Sequence, residues 1–422
     1  MVINEAQAKY LNTGESKNPI LEKIVCPKGY KLTEVGVIPS DWNTYRISDV
    51  VDKIVGGGTP SRNIPEYWGN AIPWVTVKDF TTFNPNQAQE YISKKGLLNS
   101  SSNLIPKGVL ITSTRMALGK AVIYDVDVSI NQDLKAVFPK KILDTKFLYY
   151  WFQKNADLIE ELGSGSTVKG ISLSDLRGMI FVTPLVAEQA TIAKALSDID
   201  ALIISLEKLI AKKQAIKTAT MQQLLTGKKR LPGFGEGKVY KQTELGEIPE
   251  DWEIKPLGEI LKIRHGKSQK EVIDDNGVYP ILATGGEIGR TNIALYSKPS
   301  VLIGRKGTID VPRYMNSPFW TVDTLFYSEI NNNSDAKYIF YKFGFIDWYS
   351  YSEASGVPSL NAATIEKILQ VLPSSKDEQI AISDVITNFD EDIKLLQVQL
   401  VKTQQIKQGM MQELLTGANS SN

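Results

Sequence analysis

The sequence predicts a mixed α/β protein built twice over: two globular domains carried on two long helices that pair antiparallel as a coiled coil, with pseudo-twofold internal duplication. Two internal repeats carry this prediction. Leu32–Trp42 (LTEVGVIPSDW) returns as Gln242–Trp252 (QTELGEIPEDW), with seven identities in eleven positions. A helical stretch opening at Glu188–Gln189 and closing on MQQLLTG (Met221–Gly227) returns as one opening at Glu378–Gln379 and closing on MQELLTG (Met411–Gly417). The first repeat recurs after 210 residues and the second after 190, so each half is a shared frame around a block of different length and sequence. A third, fainter echo relates Tyr10–Lys17 (YLNTGESK) to Leu224–Arg230 (LLTGKKR) and suggests that the N-terminal segment completes the frame in circular order.

The elements follow in chain order. Residues 1–28 are the segment completing the frame, 29–185 the first globular domain, 186–228 the first spacer helix, 229–373 the second domain, 374–417 the second helix, and 418–422 a tail. Within the globular blocks, short β-branched runs such as Ala71–Val77, Val109–Thr112, Ile180–Thr183 and Ser300–Gly304 are broken by glycine and proline, as strands are. Aromatic-rich helical patterns cover Thr145–Leu162 and Ala336–Ser350. In the spacers, apolar residues recur at steps of three and four: Ile192, Ile199, Leu202, Leu206 and Leu209 in the first, and Ile382, Phe389, Leu396 and Leu400 in the second. About 40 residues at about 1.5 Å each make a rod of roughly 60 Å. Two such rods pack most simply against each other with the globular blocks at opposite ends, the leucines serving as packing and the spacing as a ruler.

Composition bounds the function. At 422 residues the chain exceeds one ordinary core, and 42% hydrophobic with 23% charged residues is the balance of a folded, water-soluble protein. No apolar stretch is long enough to span a membrane and the N-terminus lacks a signal-peptide core, so a cytoplasmic location is expected. One cysteine (Cys26) and one histidine (His265) cannot build a Cys/His zinc cage. The net charge of +1 argues against bulk coating of nucleic acid, so any DNA contact rests on local patches. Residues 255–320 form one, with ten Lys/Arg against six acids, a local +4.

Catalytic signatures are missing. No Asn/Asp-Pro-Pro-aromatic tetrapeptide of an adenine methyltransferase occurs. Gly266-Lys267-Ser268 ends like a phosphate-binding loop, but Leu261 stands where its first glycine belongs. His265 has no evident orienting partner for general-base work. The run Gly56–Pro60 is either a tight turn or a place where backbone approaches a DNA phosphate. The clusters Arg115–Lys120, Ser164–Lys169, Arg264–Lys270 and Arg305–Gly307 carry the Arg, Lys, Gln, Ser and Gly mix suited to phosphates and base edges, and could equally be solvated loops.

Together these features resemble the specificity (S) subunits of type I restriction-modification systems, over nearly the whole chain from about Gly29 to Gly417. The resemblance is carried by Gly56–Phe80 (GGGTPSRNIPEYWGNAIPWVTVKDF), Ser129–Pro139 (SINQDLKAVFP), His265–Asn292, and the two run-ups to the helices, Gly163–Gln189 and Ala354–Gln379. The second block departs from the first, with Trp320-Thr321-Val322-Asp323 near the place of the INQDL element. The resemblance implies that the globular blocks are target-recognition domains, each reading half of an interrupted sequence in double-stranded DNA. It implies that the helices set the gap and dock two adenine methyltransferase subunits, joined by restriction/translocase subunits. It also implies a non-catalytic chain with no cofactor of its own, S-adenosylmethionine, ATP and Mg belonging to the partner subunits. Candidate DNA-contacting residues are then Gly57, Thr59, Arg62, Lys78, Arg115, Lys120 and Lys169 in the first domain. In the second they are Arg264, Lys267, Lys270, Arg290, Arg305 and Lys306. The alternative is a coiled-coil clamp or chaperone-like protein with globular protein-binding tips.

Overall fold

The protein is seen in a computed structural model that describes residues 26–165, 169–235, 239–354 and 356–417. Nearly all of the N-terminal segment expected to complete the frame, and the tail 418–422, therefore lie outside the described residues. The chain divides into two compact units, one formed by residues up to Ser205 together with those from Leu400 onward, the other by Leu206–Gln399. The division cuts both long helices rather than setting them apart as domains of their own. Each unit is thus a globular block plus one part of each helix.

In the first unit, Asn43–Arg46 pairs antiparallel with Ile180–Thr183, so the block's entrance and exit lie side by side. One four-stranded antiparallel sheet runs in the order Val51–Gly56, Leu134–Pro139, Leu110–Ser113, Ala121–Ile123. A second runs Glu90–Ile92, Trp68–Val75, Val128–Ile130, Leu104–Ile105, and its central pair is parallel. The aromatic helix α1, Thr145–Lys154, is capped by the Asp144 carboxylate, which accepts from Phe147 N–H. It buries Phe147, Leu148, Tyr150, Trp151 and Phe152 against Phe181 and Trp42 in the unit's main core. The expected helix to Leu162 breaks at Asn155 and resumes over Ala156–Glu161.

The second unit repeats the plan with fewer strands. Trp252–Pro256 pairs antiparallel with Leu369–Pro373, closing the block. A four-stranded sheet runs Leu261–Arg264, Leu325–Ile330, Ser300–Gly304, Arg313–Met315. A three-stranded sheet again contains one parallel pair, Tyr279–Ala283 with Trp320–Thr321.

The long helices are α2, Val186–Leu224, and α4, Lys376–Leu414; between them lies α3, Ala336–Phe343, the counterpart of α1. Within the first unit Asp200 pairs with Lys407, and within the second Lys217 pairs with Asp390 and Lys213 with Asp392. In the second unit, the numbers rising from Lys213 to Lys217 as their partners fall from Asp392 to Asp390 mark antiparallel packing. The inward positions of α4 step through Ile386, Phe389, Ile393, Leu396, Leu400, Thr403, Lys407, Met410 and Leu414, and those of α2 through Leu196, Ile199, Ile203, Leu206, Ile210, Lys213, Lys217, Thr220 and Leu224, all buried or half-buried. Ile192 and Ile382 are buried one step earlier.

Two expected seam residues are corrected by the packing. Leu202 is 43% and Leu209 40% exposed, and Ile203 and Ile210 take their places. The runs Leu202-Ile203-Ile204 and Leu209-Ile210 offer apolar side chains in adjacent phases about 100° apart, so composition alone does not say which faces inward.

The structure also explains why the two sequence repeats come as a set. Each long helix ends in a glycine with positive φ, Gly227 (73°) and Gly417 (66°), the left-handed stop that glycine adopts without steric cost. A Cβ on Gly227 would lie 2.7 Å from the Pro249 ring, and one on Gly417 would lie 2.4 Å from the Pro39 ring. The LLTG ending of α2 therefore seats on the IPEDW element of the second half, and that of α4 on the IPSDW element of the first. Each half of the sequence closes the joint of the other.

Candidate nucleic-acid interface

In the first unit, loops from both sheets converge beside the glycine segment after Val51–Gly56. Gly58 N–H donates to Ile130 O at 3.0 Å, and Thr59 Oγ1 donates to Gln132 Oε1 at 2.6 Å. A Cβ on Gly57 would sit 1.8 Å from Ile130 O, so this glycine is required by the chain's own backbone. The close approach that requires glycine in this run is to the chain's own backbone.

The same 131–133 loop receives the next candidates. Thr114 N–H donates to Asp133 O at 2.9 Å, and the Arg115 guanidinium lies 3.7 Å from the Asp133 carboxylate. Met116, at φ 72° the single non-glycine residue with positive φ among those described, donates its N–H to Lys169 O at 3.1 Å. Thus Gly57, Thr59, Arg115 and Lys169 belong to one cluster. Arg62 joins it through tryptophan: its guanidinium stacks 3.9 Å above Trp68 and 5.3 Å from Trp74, whose indole N–H donates to Gly58 O at 3.0 Å. Glu90 grips Arg62 with both oxygens at 2.5 and 2.9 Å, which holds the Glu90 carboxyl below the usual range. Lys78 stands exposed in the turn that Asp79 closes onto Thr76 and Gln89, and Lys120 is exposed at the far end of the Arg115 loop.

The second unit builds the same cluster from other residues. Gly266 replaces Gly57, with a Cβ position 2.2 Å from Val322 O, and Lys267 N–H donates to Thr321 O at 2.8 Å. Arg305 N–H donates to Thr324 O at 2.8 Å, and its guanidinium meets Asp323 at 2.6 Å. Gly307, at φ 84°, stands where Met116 stands and donates to Pro358 O at 3.0 Å, while Lys306 bridges Ser359. The Trp320 indole donates to Lys267 O at 2.9 Å, the service Trp74 performs for Gly58. The tryptophan has changed strands. Trp74 lies on the first strand of the parallel pair, opposite Ser129, and Trp320 lies on the second, opposite Ile281.

Other second-domain candidates fall elsewhere. The Arg264 side chain is bound to Glu329 at 2.9 Å on the sheet, and His265 packs edge-on against Phe326 with ring centres 4.9 Å apart. Arg290, on the strand Gly286–Thr291, donates to Gly277 O at 2.7 Å, Val278 O at 3.0 Å and Glu287 at 3.1 Å, which ties the 277–278 segment to the strand. Lys270 is exposed beyond Lys267. Sequence reasoning missed Asp133, Asp323, Trp74 and Trp320, and placed Gly266 in a candidate cluster without its backbone role. The Trp320-Thr321-Val322-Asp323 run carried a signal for two of them, since it stands at the place of the INQDL element.

Each cluster offers exposed cations around a backbone turn: Arg62, Arg115 and Lys169 in one, Lys267 and Lys306 beside Arg305 in the other. An arginine with one edge held by a carboxylate keeps its remaining N–H donors for an acceptor pair, the geometry suited to a phosphate or a guanine edge. Among the described residues no group of three or more His, Cys, Asp or Glu could hold a metal ion, and no helix is long and apolar enough to cross a membrane.

The family described as "Type I restriction modification DNA specificity domain" matches residues 39–218 and 249–407, most of both halves. The MjaIX type I restriction enzyme specificity subunit of Methanocaldococcus jannaschii is 30% identical over 260 residues, covering 60% of this chain and 60% of that protein. The MjaVIII specificity subunit of the same organism is 26% identical over 242 residues, covering 57% of this chain and 54% of the relative, so the chain spans somewhat over half the length of these relatives. Among solved structures, the type I restriction-modification S subunit of M. genitalium aligns over 90% of this chain and 97% of its own at a TM-score of 0.62 and 18% identity, a likeness of fold. With its family domain matched twice, once in each half of the duplicated frame, the chain belongs to the type I restriction-modification DNA specificity family.

Proposed function

We propose that this chain is the non-catalytic recognition subunit of a type I restriction-modification complex, reading a two-part interrupted sequence in double-stranded DNA. The Gly57–Lys169 cluster would read one half-site and the Gly266–Ser359 cluster the other. The helices would set the gap and dock two adenine methyltransferase subunits, with restriction/translocase subunits joining that core. S-adenosylmethionine, ATP and Mg would be bound by those partners. The observation that carries the reading is the duplicated loop cluster: the same backbone ties occur in both units, with Thr114 and Arg115 in one replaced by Arg305 and Lys306 in the other. A shared scaffold with divergent side chains is what two different half-sites require.

The test is to purify the chain with its methyltransferase subunit, methylate random-sequence DNA, and map the modified adenines. One two-part motif with a fixed gap is the expected result. Methylation indifferent to this chain would overturn the reading and favour the clamp. At the residue level, Arg305→Ala with Lys306→Ala should weaken DNA binding and flatten the plot of log affinity against log salt, by about one unit of slope for each phosphate no longer bound. Asp323 is 67% exposed, so removing Arg305 leaves no buried charge behind and the effect should appear in binding rather than stability. An unchanged slope would remove both residues from the interface.

A further inference from the structure

The two units carry one polar constellation that neither the apolar seam nor the loop clusters account for. In the first, Tyr150 Oη of α1 donates to Asp200 Oδ2 at 2.8 Å, and Lys407 Nζ of α4 lies 2.7 Å from Asp200 Oδ1. Lys407 also lies over the Tyr150 ring at 5.7 Å. In the second, Tyr341 Oη of α3 donates to Asp390 Oδ2 at 2.8 Å, and Lys217 Nζ of α2 lies 2.5 Å from Asp390 Oδ1 and 5.6 Å from the Tyr341 ring centre. A helix hydroxyl sits 3.2 Å from each tyrosine oxygen, Ser197 in one and Thr387 in the other. The lysines are 19% and 23% exposed and the aspartates 28% and 42%, so it is the ammonium groups that are shielded from water.

The carboxylate has two roles at once. One oxygen holds a tyrosine from the globular block; the other holds a lysine from the opposing long helix. Apolar side chains at steps of three and four offer nearly equal burial after a slip of one heptad, about 10 Å along the axis, so such a seam specifies register weakly. A lysine and an aspartate at fixed seam positions specify it strongly, because a slip strands both charges in a half-buried site.

We propose that Asp200 and Asp390 are positioning residues for DNA recognition. Each fixes, at one point, the register of the helix pair and the seat of its recognition domain, and together they hold the gap between half-sites to a single value. The proposal rests on the two-part reading given above.

The experiment uses the reconstituted complex with its methyltransferase subunits and duplexes whose gap equals the wild-type value or differs by one or three base pairs. In Asp390→Leu with Lys217→Met, both charges go and no buried charge is stranded, so the melting temperature should stay near wild type. The ratio of methylation on the cognate gap to that on altered gaps should fall at least tenfold. Tyr341→Phe, which keeps the ion pair and cuts only the tether, should lower the ratio several-fold, and Lys217→Arg should preserve it. An unchanged ratio in the double variant, with wild-type complex still demanding one gap, overturns the proposal alone. If the double variant fails to fold, Tyr341→Phe decides in the same way. A wild-type complex that tolerates every gap overturns the two-part reading, and this proposal with it.

Discussion

Arg230→Ala should destabilise the second unit by about 3–5 kcal/mol, the cost typical of removing one partner from a buried ion pair. Arg230 lies three residues beyond the LLTG ending of α2, and its side chain is 9% exposed. It meets Glu378, 2% exposed in the first turn of α4, through Nε and through Nη2 at 2.7 Å. Its outer face grips Asp251 of the IPEDW element with two bonds of 2.8 Å. Trp252, fully buried, adds an indole N–H to Glu378 at 3.3 Å. Removing the guanidinium leaves a buried carboxylate with that single weak donor, and frees the end of one long helix from the start of the other. Urea unfolding followed by tryptophan fluorescence measures the destabilisation.

The pH dependence of that effect is also fixed. Arg230 holds the Asp251 carboxyl below the usual carboxylate range, so its contribution is present above about pH 4 and fades as pH falls through the lowered value. The difference in stability between wild type and variant should therefore narrow in acid. Glu188, the sequence counterpart of Glu378, is exposed, and Glu188→Ala should shift stability by no more than about 0.5 kcal/mol. Equal effects at Glu188 and Glu378 would show that the ion pair is not the cause.

Deleting Ser205–Ala211, one heptad of α2, should reduce methylation of the cognate target at least a hundredfold. The reason lies in the two lysine–aspartate pairs. Asp200 precedes Lys217 by 17 residues, and Asp390 precedes Lys407 by 17, so both pairs form on helices of matched length. Shortening one helix creates a mismatch of about 10 Å, so either Asp200–Lys407 forms or Asp390–Lys217 with its neighbour Asp392–Lys213, but not both sets. Deleting Leu395–Val401 as well restores the match. The doubly shortened protein should fold and prefer a target whose gap is shorter by up to about three base pairs, at 3.4 Å per base pair. Methylation of a library of gap lengths reads both outcomes. If the paired deletion leaves the preferred gap unchanged, the helices are not the ruler.

The duplicated frame is legible in the linear order because it is local and periodic. A run such as IPEDW or LLTG needs the same backbone conformation wherever it occurs, and a step of three and four is helical in any context. Strands Ile180–Thr183 and Ser300–Gly304 are readable for the same reason, being β-branched runs between breakers. The inward phase of α2 is not, because Leu202, Ile203 and Ile204 are equally apolar and the opposing helix decides among them. The candidate interface divides likewise. Clusters rich in Arg, Lys and Gly are visible in the sequence, and Arg115, Lys169, Lys267 and Arg305 fall where loops converge. Arg290 is as basic as the others, yet it sits on a strand and directs three of its donors to the 277–278 segment and to Glu287.

The sequence by itself determined that the chain is two variable domains in a twice-written helical frame, and hence its family, since periodicity, breakers and repeats are properties of the linear order. Tertiary structure decided what each repeat is for. Gly227 and Gly417 are glycines because a proline from the other half of the sequence leaves no room for a Cβ. Asp200 and Asp390 are aspartates in a seam because each faces a lysine more than 170 residues away. Trp74 and Trp320, on different strands, support the same glycine segment from either side of a parallel pair. Such roles depend on which distant backbone comes near, and burial, hydrogen bonding and charge pairing act only once the chain has folded them together.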